Sequence, residues 1–202
     1  NERPTVHKTD LAPSGVAHPA LRLTAAAVAT ALLRAVVGFL TFLVAFGFRR
    51  AGAPSWWFGA VLAASMAASL VGAAVAPAVR AVLREERILA VALAAVGVAG
   101  IGMARVRGPL WATVVAAVVG IAAAAGKLAF DAIVQRDAHD TVRGRSFARF
   151  EAGFQLVWVV GALLPVLVPT PLRQGYDVLG IAGLAGAFAY VVAERRLGKA
   201  EA

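Results

Sequence analysis

Long apolar runs separated by short polar stretches make up most of this chain. The runs lie roughly at 21–48, 56–79, 88–104, 110–134, 147–168 and 178–193. A helix that crosses a bilayer needs about 20 predominantly apolar residues, with a range of about 17–25. Four runs meet this length easily, and the third and sixth are short and rich in glycine. Membrane β-strands are shorter and alternate in polarity, which these runs do not. The pattern therefore predicts an all-α membrane protein, a bundle of six transmembrane helices.

Both ends of the chain are polar. Residues 1–20 carry three prolines and predict a polar cytoplasmic linker or lead, exposed to solvent. This segment lacks the basic stretch, short apolar core and cleavage site of a signal peptide. We expect this lead, a six-helix transmembrane domain over 21–195, and a cytoplasmic tail over 196–202.

The composition agrees with a membrane protein and disfavours metal binding, thiol chemistry and histidine-based catalysis. The chain is 60% hydrophobic and 15% charged, whereas about a quarter of the residues of a soluble domain are charged. It has no cysteine, and its three histidines lie outside the apolar runs. We therefore expect no metal, no cofactor and no enzymatic activity. Ser65 and Ser69 are the nearest candidates for a nucleophile, and no histidine lies within the runs to serve them as a base.

Lysine and arginine are distributed unequally between alternate loops. Most lie in the lead, in the loops after the second and fourth runs, and in the tail. Because basic loops stay on the cytoplasmic side, both termini are expected in the cytoplasm, which requires an even number of spans. Trp56, Trp57 and Trp111 begin runs at the opposite side, where interfacial aromatic residues are common. The net charge of +9 then reflects orientation, and no nucleic acid partner is expected. Heavy use of alanine, and of arginine over lysine, indicates a GC-rich bacterial genome, and the expected location is the bacterial inner membrane.

One polar stripe lies within the first run. Thr30, Arg34 and Thr41 are four and seven residues apart, so they share one helix face. An ionisable group at the centre of a membrane helix costs about 2.5–3.5 kcal/mol on insertion scales and often marks function. These residues are our candidates for a substrate cavity. The alternative is an arginine that reaches the interface and two threonines that bond their own backbone.

A second set of charges lies at the end of the fourth run and the start of the fifth. Lys127 and Asp131 are four residues apart in the cytoplasmic third of the fourth run, so they can pair along one helix face. Glu151 stands just inside the fifth run, with Gln155 one turn further on. These residues are candidates for a cytoplasmic gate. The alternatives are simple interfacial pairing or direct proton or substrate binding for Lys127 and Asp131, and a favourable helix dipole for Glu151. Asp140 is a predicted helix N-cap before the fifth span.

The stretch FDAIVQRDAHDTVRGRSFARFEAGFQLVWVVG, residues 130–161, resembles part of the bacterial transporters of the major facilitator superfamily. It is similar to their tenth span, cytoplasmic loop and eleventh span, with an acidic loop, Arg143-Gly144-Arg145 and small residues afterwards. The segment GAAVAPAVRAVLREER resembles a degenerate copy of the family's loop motif that lacks its acidic residue. The first run, LLRAVVGFLTFLVAF, resembles the seventh span of actinobacterial members.

The resemblance implies the C-terminal half of a transporter, spans seven to twelve of a major-facilitator-type fold. The expected partners are the lipid bilayer, a small-molecule solute, protons, and either an N-terminal six-span half or a second copy. The expected function is secondary transport of a small, hydrophobic or drug-like solute by alternating access, with proton-coupled efflux favoured on family grounds. Arg143 and Arg145 join the gate candidates, and Glu151 is expected to meet a basic residue of the other half. A six-span accessory or structural membrane protein without transport activity is the alternative.

The predicted orientation can be tested with single cysteines, because the chain has none of its own. In intact cells, a membrane-impermeant maleimide should label Ser55→Cys, which lies between the first two runs. Ala138→Cys, which follows the fourth run, should react only after the membrane is permeabilised. The reverse labelling pattern would place both termini outside.

Overall fold

The computed structural model describes residues 17–106, 108–137 and 143–199, without the side chains of 17–19, 137 and 143–146. These residues form six α-helices and contain no strand: α1 (Ala17–Arg50), α2 (Trp56–Val82), α3 (Glu85–Met103), α4 (Pro109–Asp137), α5 (Arg143–Leu167) and α6 (Leu172–Lys199). All six are long and apolar enough to span a membrane. The predicted all-α, six-helix membrane fold is confirmed.

The helices extend beyond the apolar runs. α3 begins at Glu85, not at 88, and α6 covers Leu172–Lys199, not only 178–193. Charged side chains near the hydrated membrane surface cost little, so the backbone hydrogen bonds of a helix continue past the apolar sequence. α1 begins at Ala17, so the last residues of the predicted lead are helical. Asp140, the predicted N-cap, lies outside the described residues.

The helices are not packed in the order of the chain. α1 and α4 contact each other at the centre, α2 packs mainly against α4, and α5 packs mainly against α1. α3 and α6 pack together behind this centre, α3 also against α4 and α6 also against α1. These pairings are unchanged when α1, α2 and α3 are exchanged with α4, α5 and α6. Because three spans reverse the direction of a chain, the two triplets form an inverted repeat.

Glycines allow close backbone contact at the two equivalent crossings, α1 with α5 and α2 with α4. A Cβ atom on Gly38 would meet the carbonyl oxygen of Trp158, and one on Gly161 would meet the carbonyl oxygen of Ala35. At the other crossing, a Cβ atom on Gly120 would lie 2.5 Å from the carbonyl oxygen of Ser65. Small residues let helix backbones approach in lipid, where packing and interhelical hydrogen bonds drive association. Each crossing therefore needs glycine where the two backbones meet.

The contact between α3 and α6 also depends on glycines where the two backbones approach. A Cβ atom on Gly100 or on Gly183 would lie 2.5 Å from the backbone nitrogen of Gly180 or Gly97, respectively. Gly102, in contrast, has nothing within 4 Å of its Cβ position. Most of the glycines in the short third and sixth runs thus serve helix packing.

Two glycines of α5 make a matched test of this packing. Gly161→Ala should lower the free energy of unfolding by about 1–3 kcal/mol, because the new methyl group overlaps the backbone of α1. Gly153→Ala should be neutral or stabilising by up to about 1 kcal/mol, since its Cβ position contacts nothing and alanine favours helix. Unfolding in mixed micelles measures both. Equal effects would show that the crossing does not need glycine.

Candidate functional site

Lys127, Asp131 and Glu151 form a cluster of charges between α4 and α5. The Lys127 ammonium group donates to both carboxylate oxygens of Asp131, at 2.6 and 2.9 Å. It also lies 3.4 Å from Oε2 of Glu151, across the gap between the helices. The Gln155 amide donates to the other Glu151 oxygen at 3.4 Å. Lys127 thus pairs closely with Asp131 on its own helix and at a longer distance with Glu151 on α5.

An aromatic cluster fixes the two helices beside these charges. The ring of Phe130, fully buried, meets the rings of Phe150 and Phe154 edge-on, with centroids 5.2 Å apart in both cases. Edge-to-face aromatic pairs are stabilising at this spacing. Phe130 precedes Asp131 and Phe150 precedes Glu151, so this contact sets the distance between Lys127 and Glu151.

The predicted pairing of Lys127 with Asp131 is confirmed, and the role of the cluster as a gate stays a prediction. Both side chains are about one-fifth exposed, whereas 44% of the Glu151 side chain is exposed. Glu151 was expected to meet a residue of another half, and here it meets Lys127 of its own chain. Its exposure leaves room for a second partner, which stays a prediction.

The two threonines of the polar stripe on α1 bond the backbone of their own helix, whereas Lys127 pairs with Asp131 and Glu151. The Thr30 and Thr41 hydroxyls donate to the backbone carbonyls of Ala26 and Val37, at 2.9 and 2.8 Å. This backbone bonding is the alternative considered for the two threonines. Thr30 is only 1% exposed. Thr41 borders a cavity of about 20 Å³, which is the size of one water molecule. A role of either threonine in binding solute stays a prediction.

Arg34 is half-buried on α1. It occupies the arc of the helix between Leu33, which contacts α4, and Gly38, which contacts α5. Its buried Nε atom has no hydrogen-bond partner among the described residues. Arg34 therefore lies on the side of α1 that faces the gap between α4 and α5.

Two gate candidates, Arg143 and Arg145, cannot be assigned contacts. α5 begins at Arg143, so both lie in its first turn, but their side chains fall outside the described part of the chain. Their participation in a gate stays a prediction.

A charged network joins the ends of α2, α3 and α4, and the sequence analysis missed it. Arg136 contacts Glu86 at 2.8 Å and Glu85 at 3.7 Å. Arg80 lies 3.4 Å from Glu85, and Arg84 lies 3.6 Å from Glu86. The available signal was Glu85-Glu86 in the first turn of a helix, where the dipole favours acids. The positions of these arginines in the loops after the second and fourth runs predict only the membrane orientation.

The opposite end of the bundle is also tied by arginine. Arg105 on the α3–α4 loop lies 3.6 Å from Asp177 of α6. Arg50, the last residue of α1, donates to the carbonyl oxygen of Thr170 at 2.6 Å. Trp56 and Trp57 stack at this end, with ring centroids 4.2 Å apart. Polar contacts thus concentrate at the two ends, and the glycine crossings lie between them.

Two further observations concern metal ligands and the serines of α2. Among residues 17–106, 108–137 and 143–199, no group of three His, Cys, Asp or Glu side chains is placed to hold a metal ion. The Ser69 hydroxyl donates to the carbonyls of Ser65 and Gly120, at 2.8 and 3.2 Å. This serine therefore bridges α2 to α4.

Comparisons with protein-family models, curated proteins and solved structures find no match to this chain.

The distances from Lys127 to Asp131 and to Glu151 predict unequal coupling energies for the two pairs. A double-mutant cycle with Lys127→Met and Asp131→Asn should give a coupling energy of about 0.5–1 kcal/mol, because this pair is close and makes two hydrogen bonds. Lys127→Met with Glu151→Gln should give about 0.2–0.5 kcal/mol, since the distance is longer and Glu151 is more exposed.

Unfolding in mixed micelles measures these coupling energies. Arg105 with Asp177 is a control pair at the other end of the bundle, and it should resemble the weaker pair. A larger coupling for Glu151 than for Asp131 would contradict the assigned geometry.

Proposed function

We propose that this chain is one half of a secondary transporter that works by alternating access. The observation that carries the proposal is the inverted repeat, in which α1–α3 and α4–α6 make equivalent contacts. Many secondary transporters are built from such repeats, and their substrate sites lie where the repeats meet near the bilayer midplane. In this bundle α1 and α4 are the equivalent helices at the centre of the contact between the repeats.

The polar residues of the apolar helices support a path along α1 and α4. Arg34 on α1 and Lys127 with Asp131 on α4 lie on the central helices, and Glu151 lies on the helix that crosses α1. Ionisable residues inside membrane helices usually face a cavity or a partner, and they mark ion and substrate pathways. The solute we propose is small and hydrophobic or drug-like. The carboxylates of Asp131 and Glu151 are candidates for proton coupling.

The second half of the transporter is proposed to pack on the side formed by α2 and α5. These helices bury the smallest share of their apolar segments within the bundle. Met66 and Leu70 on α2, and Leu156 and Leu163 on α5, are all well exposed. α2 and α5 are equivalent in the repeat, so another six-span half or a second copy would contact the two flanks in the same way. Lipid covers the remaining exposed apolar surface.

The Lys127 cluster is proposed to be the gate at the cytoplasmic end. When α5 moves away from α4, Lys127 loses the looser contact with Glu151 but keeps Asp131. The ammonium group therefore stays paired in both positions, which keeps the free-energy difference between them small. Glu151, released, becomes available to the other half. A two-state element of this kind is what alternating access requires.

Transport can be tested in inverted membrane vesicles. With a proton gradient, vesicles that contain the protein together with its other half or a second copy should accumulate a fluorescent amphipathic cation. An uncoupler should abolish this accumulation. Glu151→Gln should lower the initial rate about tenfold or more, as expected for loss of a group that acts in proton transfer or gating.

Asp177→Asn is the matched control, because Asp177 is a partly exposed carboxylate paired at the opposite end. Its rate should stay within about twofold of the unchanged protein. If Glu151→Gln and Asp131→Asn leave transport unchanged at normal expression, these residues have no role in the gate. If no member of a broad panel of dyes and drug-like solutes is transported, the accessory alternative is favoured.

A further inference from the structure

A charged cavity opens at the end of the bundle where α1 and α3 begin and α6 ends. Its volume is about 460 Å³. The ionisable residues that line it are Arg22, Arg84, Glu86, Arg87, Glu194 and Arg195. The proposed transport path, which follows Arg34 and Lys127, uses none of them.

The charge in this cavity is unequally balanced. Four arginines face two glutamates, and one of these, Glu86, already pairs with Arg136 at 2.8 Å. Among the described residues, Arg87 and Arg195 make no ion pair, and both are exposed. The cavity therefore offers at least two guanidinium groups to an anion.

The cavity also holds hydrogen-bonding groups that lack partners. The Tyr190 hydroxyl is buried, with the whole residue 5% exposed, and it has no hydrogen-bond partner among the described residues. Oε1 of Glu194 is buried without such a partner as well, whereas Oε2 of Glu86 lacks a hydrogen bond but lies 3.6 Å from Arg84. Leaving a buried polar group unpaired costs about 1–3 kcal/mol. A ligand with hydroxyl groups beside its anionic group would pair them once the side chains that cover these atoms move aside.

An apolar groove continues from the cavity along α1 and α6. Its volume is about 270 Å³, and Tyr190 lines both spaces. The other residues of the groove are Ala25, Val28, Ala29, Leu32, Gly186, Ala189 and Ala193. The small residues of α6 leave this groove open towards the surface that faces lipid.

We propose that the cavity and the groove together bind one anionic phospholipid with a hydroxyl-bearing headgroup. The phosphate lies between Arg87 and Arg195, a headgroup hydroxyl donates to Glu194, and one acyl chain follows the groove. Basic pockets between membrane helices at the headgroup level suit anionic lipids. A free phosphate ion could satisfy the arginines, but it would leave the groove unused.

Native mass spectrometry of the purified chain can measure binding of dioctanoyl phosphatidylglycerol. Dioctanoyl phosphatidylcholine and inorganic phosphate are the comparison probes. Phosphatidylglycerol should bind more tightly than either. Arg195→Gln should weaken its binding about fivefold, the effect of one basic residue at a membrane surface. Arg196→Gln, the adjacent exposed arginine that does not line the cavity, should change it less than twofold.

A second pair of variants tests the groove. Ala189→Phe fills the groove with a ring and should weaken phosphatidylglycerol binding, while binding of inorganic phosphate stays unchanged. Ala74→Phe adds the same ring to an exposed position on α2, away from the groove, and should have no effect.

Three results would overturn the proposal. Equal binding of phosphatidylglycerol and phosphatidylcholine would show that the arginines select nothing. Phosphate binding as tight as lipid binding, with no effect of Ala189→Phe, would identify a free-anion site. Equal effects of Arg195→Gln and Arg196→Gln would show non-specific surface attraction. Because the measurement is binding alone, its outcome does not depend on transport.

Discussion

Close backbone contact at glycine is the interaction on which the rest of this structure depends. Lipid tails are as apolar as the helix surfaces, so apolar burial gives these helices little reason to associate. Van der Waals contact where Gly38 meets Trp158, and where Gly120 meets Ser65, supplies the attraction instead. These contacts place α5 on α1 and α2 on α4. The distance between Lys127 and Glu151 is a result of that placement.

Ion pairs stabilise the two ends of the bundle, and helix packing stabilises its middle. The ends are tied by arginine, through Arg136 with Glu86 at one end and Arg105 with Asp177 at the other. These pairs lie where water and headgroups lower the cost of a charge, and exposed pairs there contribute about 0–1 kcal/mol each. The middle depends mainly on close packing, supported by the hydrogen bond from Ser69 of α2 to the carbonyl of Gly120 of α4. In the alternating access proposed above, weak polar contacts at one end would exchange while the crossings act as pivots.

The spacing of residues along the sequence predicted contacts within one helix, and it did not predict contacts between two helices. Six spans follow from hydropathy, and Lys127 with Asp131 follows from a separation of four residues. The contact of Lys127 with Glu151 depends on α5 packing near α4, which no local pattern contains. Hydropathy also missed Glu85 and Glu86, because it cannot distinguish a charged loop from the charged first turn of a helix. The hydroxyls of Thr30 and Thr41 on α1 donate to their own backbone, and a role of these residues in binding solute stays a prediction.

The helix order has a consequence for how the protein is made. α2 finds its main partner in α4, and α1 finds one in α5, so neither helix has its principal contact when it first enters the membrane. The first two spans must remain side by side, nearly without mutual contact, until later spans are inserted. Assembly is thus a step that follows insertion. During that interval the surfaces of α1 and α2 that later pack on α5 and α4 are open to any other helix in the membrane, which makes this period the one in which wrong pairing or chaperone capture would occur.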